Sequence, residues 1–146
     1  MKYSNEVEIN LPRNRVIELF DNTDNMKHWQ KGLQSFEHVS GTPGQPGATS
    51  RLKYKMGKRE IEMIETITNN NLPEEFAGTY DAKGVHNIMS NKFISLSENK
   101  TKWVADCEFQ FKGFMKVIAF LMPAAFKKQS QKYLDDFKTF AEGNQQ

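Results

Sequence analysis

The stretch from Gly113 to Glu142 constrains this chain more than any other. It opens as an apolar run from Phe114 to Phe126, broken only by Lys116, and then becomes a charged segment whose large apolar residues recur at helical spacing. Ser130, Tyr133 or Leu134, Phe137 and Ala141 fall on one face, while Lys127, Lys128, Lys132, Asp135, Asp136 and Lys138 lie mostly elsewhere. That is the pattern of an amphipathic surface helix. A continuous helix of about thirty residues would reach roughly 45 Å, wider than a small domain. Pro123 is expected to kink or divide it. The chain therefore predicts a long, broken C-terminal helix lying on a sheet made from the residues before it.

Those residues read as strands. Tyr3, Asn5, Val7 and Ile9 alternate with Ser4, Glu6, Glu8 and Asn10, the period of a strand with one buried face. Leu11-Pro12 ends it and suits the first turn of a helix with Val16, Ile17, Leu19 and Phe20 as its apolar face. Asp21-Asn22-Thr23-Asp24 is a break, with Thr23 or Asp24 as the expected N-cap of a second short helix, Asn25 to Lys31. From Leu33 onward the texture predicts six more strands, near Gln34–Ser40, Ser50–Met56, Glu60–Thr68, Glu75–Asp81, Val85–Leu96 and Lys102–Phe111. Turn-forming clusters separate them, including the Gly41-to-Gly47 loop and Asn69-Asn70-Asn71-Leu72-Pro73, so the expected arrangement is an antiparallel meander.

Length and charge narrow the function classes. At 146 residues the chain fits one domain, large enough to bury a sizeable core without metal or disulfide. Its formal net charge is +2, with basic side chains scattered among acidic ones, which argues against a nucleic-acid footprint. Cys107 is the only cysteine, so no intramolecular disulfide forms, and Met1 leads into a polar strand without a signal-peptide pattern; a cytoplasmic protein is expected. The apolar run around Val117 to Phe126 is shorter than the ~20 residues that cross a bilayer, so no stable membrane insertion is expected.

The element order, with certain residues inside it, resembles the START-like superfamily, also called Bet v 1-like, SRPBCC or polyketide cyclase/dehydrase-like. The matching features are the first strand running into Leu11-Pro12, the helix Val16-Ile17-Glu18-Leu19-Phe20-Asp21, Met26-Lys27-His28-Trp29, the Gly41-to-Gly47 turn, Glu62-Met63-Ile64-Glu65, and Phe111-Lys112-Gly113-Phe114-Met115 entering the last helix. The resemblance covers essentially the whole chain. It implies the α+β helix-grip fold: a seven-stranded antiparallel sheet wrapped around a long C-terminal helix, two short helices after the first strand, and a cavity between sheet and helix. Members bind lipids, sterols, polyketides or plant hormones; some are cyclases or lyases, and some act through protein partners.

Strand parity proposes which side chains point toward such a cavity. Trp103, Ala105, Cys107, Phe109 and Phe111 share one face of the last strand; Leu52, Tyr54 and Met56 share another, as do Ile61, Met63, Glu65 and Ile67, and then Phe76, Gly78 and Tyr80. The strand from Val85 is ambiguous. Val85, Asn87, Met89, Asn91 and Phe93 oppose Ile88, Ile94 and Leu96, so a bulge midway is one reading. The residues expected to contact a ligand are Tyr54, Met56, Met63, Glu65, Tyr80, Met89, Trp103, Cys107 and Phe109 on the sheet, with Phe114, Ile118, Leu121 and Met122 lining or closing the cavity from the helix. An ordinary packed core accounts for the same methionines and aromatics.

Glu65 is the sharpest polar candidate. Among Ile61, Met63 and Ile67 its charged form would be disfavoured, and a carboxyl of that kind acts as a general acid or base or hydrogen-bonds a ligand; the alternative is a surface or ion-paired glutamate. Tyr54 and Tyr80 are candidates to orient a ligand's polar end. His28, His38 and His86 lie on different elements without metal-ligand spacing, so neither metal nor cofactor is expected. Cys107 reads as a core thiol. Met115, Ala119, Phe120, Ala124 and Phe126 cannot all face the sheet; the short helices are expected to cover the remainder, with a ligand portal or a homodimer patch as the alternative. The expected function is binding of a hydrophobic or amphipathic small molecule. A cyclase-, dehydratase- or lyase-type enzyme using Glu65, Tyr54 or Tyr80, and a protein-interaction module with a filled core, are the other readings.

Overall fold

The structure, a computed structural model, describes residues 1–144. Strand β1 (Lys2–Ile9) leads into α1 (Arg13–Asp21), a 3-10 turn (Thr23–Asn25) and the single-turn α2 (Met26–Trp29). Six strands follow: β2 (Leu33–Ser40), β3 (Thr49–Met56), β4 (Arg59–Asn71), β5 (Glu75–Ala82), β6 (Val85–Ser97) and β7 (Lys100–Phe111). The chain closes with α3 (Phe114–Leu121) and α4 (Pro123–Glu142). The sheet order is β1-β7-β6-β5-β4-β3-β2, and every neighbouring pair is antiparallel. This is the expected α+β helix-grip arrangement.

Proline divides the C-terminal helix as expected. Met122 is non-helical (φ −134°, ψ 52°), and Pro123 takes the first position of α4, where its missing N–H costs nothing. The buried residues of α4 are Leu134, Phe137 and Ala141, on the face that the apolar spacing marks.

Polar contacts tie α4 to β1. Tyr3 donates to the Phe126 carbonyl at 3.1 Å and shares a 2.7 Å hydrogen bond with Ser130. Asn5 Nδ2 reaches Gln131 Oε1 at 2.8 Å, Gln131 Nε2 donates to the Glu6 carbonyl at 3.1 Å, and Lys138 Nζ to the Glu8 carbonyl at 2.6 Å. Because β1 is an edge strand, these bonds hold the helix toward one side of the sheet and leave the concave face of the middle strands open beneath it.

An aromatic cluster packs the C-terminal half of α4 against α1, α2 and the sheet. The ring of Phe137, fully buried, meets Trp29 and Trp103 edge-on, each at 5.2 Å between centroids. Phe20 of α1 stands edge-on to Phe137, Phe93 and Trp103. Such pairs add about 0.5–1.5 kcal/mol each beyond the area they bury.

Several local expectations change. The helix α2 spans only Met26–Trp29 and has no side-chain cap from Thr23 or Asp24; instead Asn22 Oδ1 accepts from the Asp24 N–H at 3.0 Å and starts the 3-10 turn. Strand β4 runs on through Asn69-Asn70-Asn71, which read as a turn. Each pairs with β5, and the amides of Asn69 and Asn70 find partners at Glu75 and the Gly44 carbonyl, so tertiary hydrogen bonds override local turn preference. Strand β6 has no midway bulge: its register with β7 is one-to-one from Val85↔Phe111 to Ser95↔Thr101, with a shift only between Ser95 and Ser97. Asn87 and Asn91 therefore face inward, both buried, while Ile94 and Leu96 face solvent.

The largest difference concerns α3. The short helices bury against the C-terminal half of α4, in one core with Val16, Leu19, Met26 and Trp29, and do not cover the apolar run. Helix α3 turns away after Gly113, whose φ of 62° lies in the left-handed region, and only Ala119 on it is buried. Phe114, Val117, Phe120, Leu121 and Met122 are exposed.

Candidate ligand cavity

A cavity of about 740 Å³ lies between the concave face of the sheet and α4, inside the range of small-molecule sites. Its position follows from the fold: α4 is tied to β1 at one edge, α1 and α2 close one end with Phe20, Met26 and Trp29, and the inward side chains of β3 to β6 form the floor. Most of the lining is apolar, including Phe36, Ile61, Met63, Ile67, Phe76 and Met89.

One row of the floor is different. Antiparallel register puts Ser50 opposite Glu65, Glu65 opposite Tyr80, Tyr80 opposite Asn87, and Asn87 opposite Phe109. Cross-strand neighbours share a face of the sheet, so a line of polar groups crosses β3, β4, β5 and β6 and ends on a phenyl ring at β7. All five border the cavity.

Glu65 is 7% exposed, and Tyr80 donates to its Oε2 at 2.7 Å. Burial raises the carboxyl pKa above its ordinary value, against the opposing effect of the Tyr80 hydrogen bond. Burial and then the neighbouring Glu65 charge push the Tyr80 phenol well above its ordinary range, so Tyr80 stays protonated and donates. In its neutral form Glu65 has an O–H to offer a ligand; in its charged form it offers only acceptor lone pairs.

Other polar groups are already engaged. Tyr54 donates to Gln30 Oε1 at 2.5 Å. Asn91 accepts from Trp103 Nε1 at 3.0 Å and donates to the Phe76 carbonyl at 3.2 Å. Two buried groups that border the cavity lack a hydrogen-bond partner among the described residues: Asn87 Oδ1 and Trp29 Nε1. One is an acceptor and the other a donor.

Of the residues expected to contact a ligand, Tyr54, Met56, Met63, Glu65, Tyr80, Met89, Trp103 and Phe109 border this cavity. Cys107 does not. It is buried beside Tyr3 and Ser130, and burial raises its thiol pKa to about 11, the behaviour of a core thiol. The helix residues are placed differently from expectation. Phe114, Leu121 and Met122 are 75%, 69% and 56% exposed, Ile118 is half-buried, and none of the four borders the cavity, because α3 lies beyond the Gly113 turn and packs on β7 and α4. Tyr133 and Leu134 of α4, expected on the helix face toward the sheet but not among the ligand contacts, border the cavity in their place. The histidines stay apart: His28 stacks on Phe140 at 5.3 Å, His38 meets the Gly41 carbonyl at 2.8 Å, and His86 pairs with Asp81.

Sequence reasoning passed over Asn87, Ser50, Trp29 and Phe20 as site residues. A signal for Asn87 was present: a strand whose asparagines share a face with Met89 and Phe93 while isoleucines occupy the other has polar groups turned inward. Nothing in the sequence placed Trp29 across from Trp103, 5.8 Å apart, because that contact depends on how α2 docks.

Solved structures share this fold. The Zhui aromatase/cyclase from Streptomyces sp. R1128 matches with a TM-score of 0.83 at 13% identity, over 97% of this chain and 93% of that one. A protein from Thermus thermophilus matches at 0.78 and 14% identity, over the full length of both. A point mutant of norcoclaurine synthase from Thalictrum, in complex with a transition-state analogue, matches at 0.71 and 12% identity, over 100% of this chain and 96% of that one. At these identities the likeness is one of fold. No curated protein matches the sequence. The model of one family, described as polyketide cyclase / dehydrase and lipid transport, matches residues 1–142. With its helix-grip sheet, its divided C-terminal helix and this match over nearly its whole length, the chain belongs to the polyketide cyclase/dehydrase and lipid transport family, within the START-like superfamily that its sequence resembles.

Proposed function

We propose that the protein reversibly binds an amphipathic small molecule, lipid-, polyketide- or aromatic-like, in the cavity between the sheet and α4. The observation that carries this reading is the polar row Ser50–Glu65–Tyr80–Asn87 across an otherwise apolar floor. Burying Asn87 Oδ1 without a partner costs about 1–3 kcal/mol in a purely structural role; a ligand hydroxyl or amine would recover it. The apolar body of the ligand would lie among Ile61, Met63, Phe76 and Met89, and its polar end against Glu65, Tyr80 and Asn87. Membership of a family described by cyclases, dehydrases and lipid transport supports a small-molecule role.

A second reading, cyclase-, dehydratase- or lyase-type catalysis at the same place, is favoured by the Glu65–Tyr80 pair. A buried carboxyl with a raised pKa holds its proton to higher pH than an ordinary one and is suited to transferring it to a bound molecule. The two readings separate on turnover.

The chain has two tryptophans, Trp29 and Trp103, and both border the cavity, so intrinsic fluorescence reports directly on occupancy. Titration with a panel of fatty acids and hydroxylated aromatic compounds is expected to give saturable fluorescence changes, strongest for molecules with both an apolar body and a hydrogen-bonding group. Product formation from such a compound, lost in Glu65→Gln, would establish the second reading. No saturable change with any member of the panel would contradict both.

A further inference from the structure

Helix α3 has two apolar sides. Met115, Ile118 and Ala119 turn inward, and Met115 lies over Gly84 in the β5–β6 turn, so close that a Cβ there would meet its Cγ at 3.1 Å. The opposite side carries Phe114, Val117, Phe120 and Leu121, followed by Met122 at the break. These five are 75%, 49%, 84%, 69% and 56% exposed, and they make up half of the ten exposed large apolar residues of the described chain. Exposed apolar side chains scattered singly are ordinary; a cluster of this size on one short helix marks an interaction surface.

The surroundings of the cluster are basic. Between Glu108 and Asp135 the sequence contains Lys112, Lys116, Lys127, Lys128 and Lys132 and no acidic residue. Lys112 and Lys116 flank the start of α3, and Lys127 and Lys128 follow in the first turns of α4. All four are exposed, and among the described residues none forms an ion pair. The rest of the surface is close to charge balance, with a net charge of only +2 for the whole chain. Two phenyl rings, a leucine and a methionine rimmed by lysines have the chemistry of an interfacial helix, which sinks its apolar side into the headgroup boundary while its lysines meet anionic lipid.

We propose that the α3–α4 junction docks the protein reversibly on the surface of an anionic phospholipid bilayer. Docking leaves the fold on the membrane surface: among the described residues no helix is long and apolar enough to cross a membrane. A second copy of the chain is a poorer occupant, because a two-fold contact through this patch sets one lysine rim against another. The surface also adjoins the cavity. Gly84, beneath Met115, lies between Ala82 and Val85, which border the cavity, so a docked protein holds that end of the cavity near the headgroups. The docking itself does not depend on what the cavity takes.

The test is co-sedimentation of the full chain with vesicles of phosphatidylcholine alone and of phosphatidylcholine mixed with phosphatidylserine. Wild type is expected to bind the mixed vesicles, more weakly at high salt, and to bind the neutral ones poorly. Phe120→Ser/Leu121→Ser and Lys127→Glu/Lys128→Glu are each expected to weaken binding roughly tenfold or more. Both pairs are exposed, so unchanged melting temperatures show that the fold is intact and unchanged Trp fluorescence titrations separate docking from cavity binding. Failure of wild type to bind the mixed vesicles, or binding that both variants retain, overturns the proposal. So does a dimer that Phe120→Ser/Leu121→Ser dissolves while wild type ignores the vesicles.

Discussion

Tyr80 and Glu65 face each other across β5 and β4, and the phenol donates to the carboxyl Oε2 at 2.7 Å. The pair shows how the sheet builds its site: two residues fifteen apart in sequence meet because antiparallel register lines up their inward positions, and burial then raises both pKa values.

The sign of the pH effect follows from linkage. A carboxyl whose folded-state pKa is raised binds more protons when folded than when unfolded, so stability falls as pH rises from its ordinary value of 4.5 through the folded pKa. Glu65→Gln removes this fall. Chemical denaturation across that window is expected to show a flatter profile for the variant than for wild type, with the difference in the variant's favour growing as pH rises from 4.5 through the folded pKa. Parallel profiles would mean that Glu65 is solvated.

Asn87 is predicted to trade stability for binding. Its buried Oδ1 lacks a partner among the described residues, so Asn87→Leu is expected to raise the unfolding free energy by about 1 kcal/mol while weakening the best ligand found by Trp fluorescence. A variant that loses stability and binds normally would place Asn87 in a structural role.

Phe137 ties α4 to α1, α2 and β7 through Phe20, Trp29 and Trp103. Phe137→Ala is expected to cost about 3–5 kcal/mol, read as a lower denaturation midpoint. Loss of less than about 1 kcal/mol would show that the cluster collapses around the gap.

Gly84 has a φ of 75°, and a Cβ there meets the Lys112 carbonyl oxygen at 3.0 Å as well as Met115. Gly84→Ala is expected to destabilise the protein by about 1–2 kcal/mol and to loosen α3, seen as faster amide exchange at residues 114–121. Unchanged exchange there would show that α3 is held by α4 and β7 alone.

Much of the fold is legible in the sequence because its signals are periodic. Trp103, Ala105, Cys107 and Phe109 mark the inward face of β7 without ambiguity, and the Leu134–Phe137–Ala141 spacing marks that of α4. Pro123 marks the break. What the sequence does not carry is long-range register. The polar row exists only because Ser50, Glu65, Tyr80 and Asn87 from four strands fall into line, and hairpin pairing across loops of different length sets that line. The apolar run 114–126 misled for a related reason: hydrophobicity reports a preference for burial, not the partner that provides it, and the turn at Gly113 carries α3 to the outside.

Native mass spectrometry of the protein purified from its own host, followed by solvent extraction, tests the central claim most directly. A noncovalent adduct is expected, released by organic solvent and combining an apolar body with a hydrogen-bonding group, and its rebinding should shift Trp29 and Trp103 fluorescence. A bare polypeptide mass, together with no fluorescence response to the lipid and aromatic panel, would contradict the account.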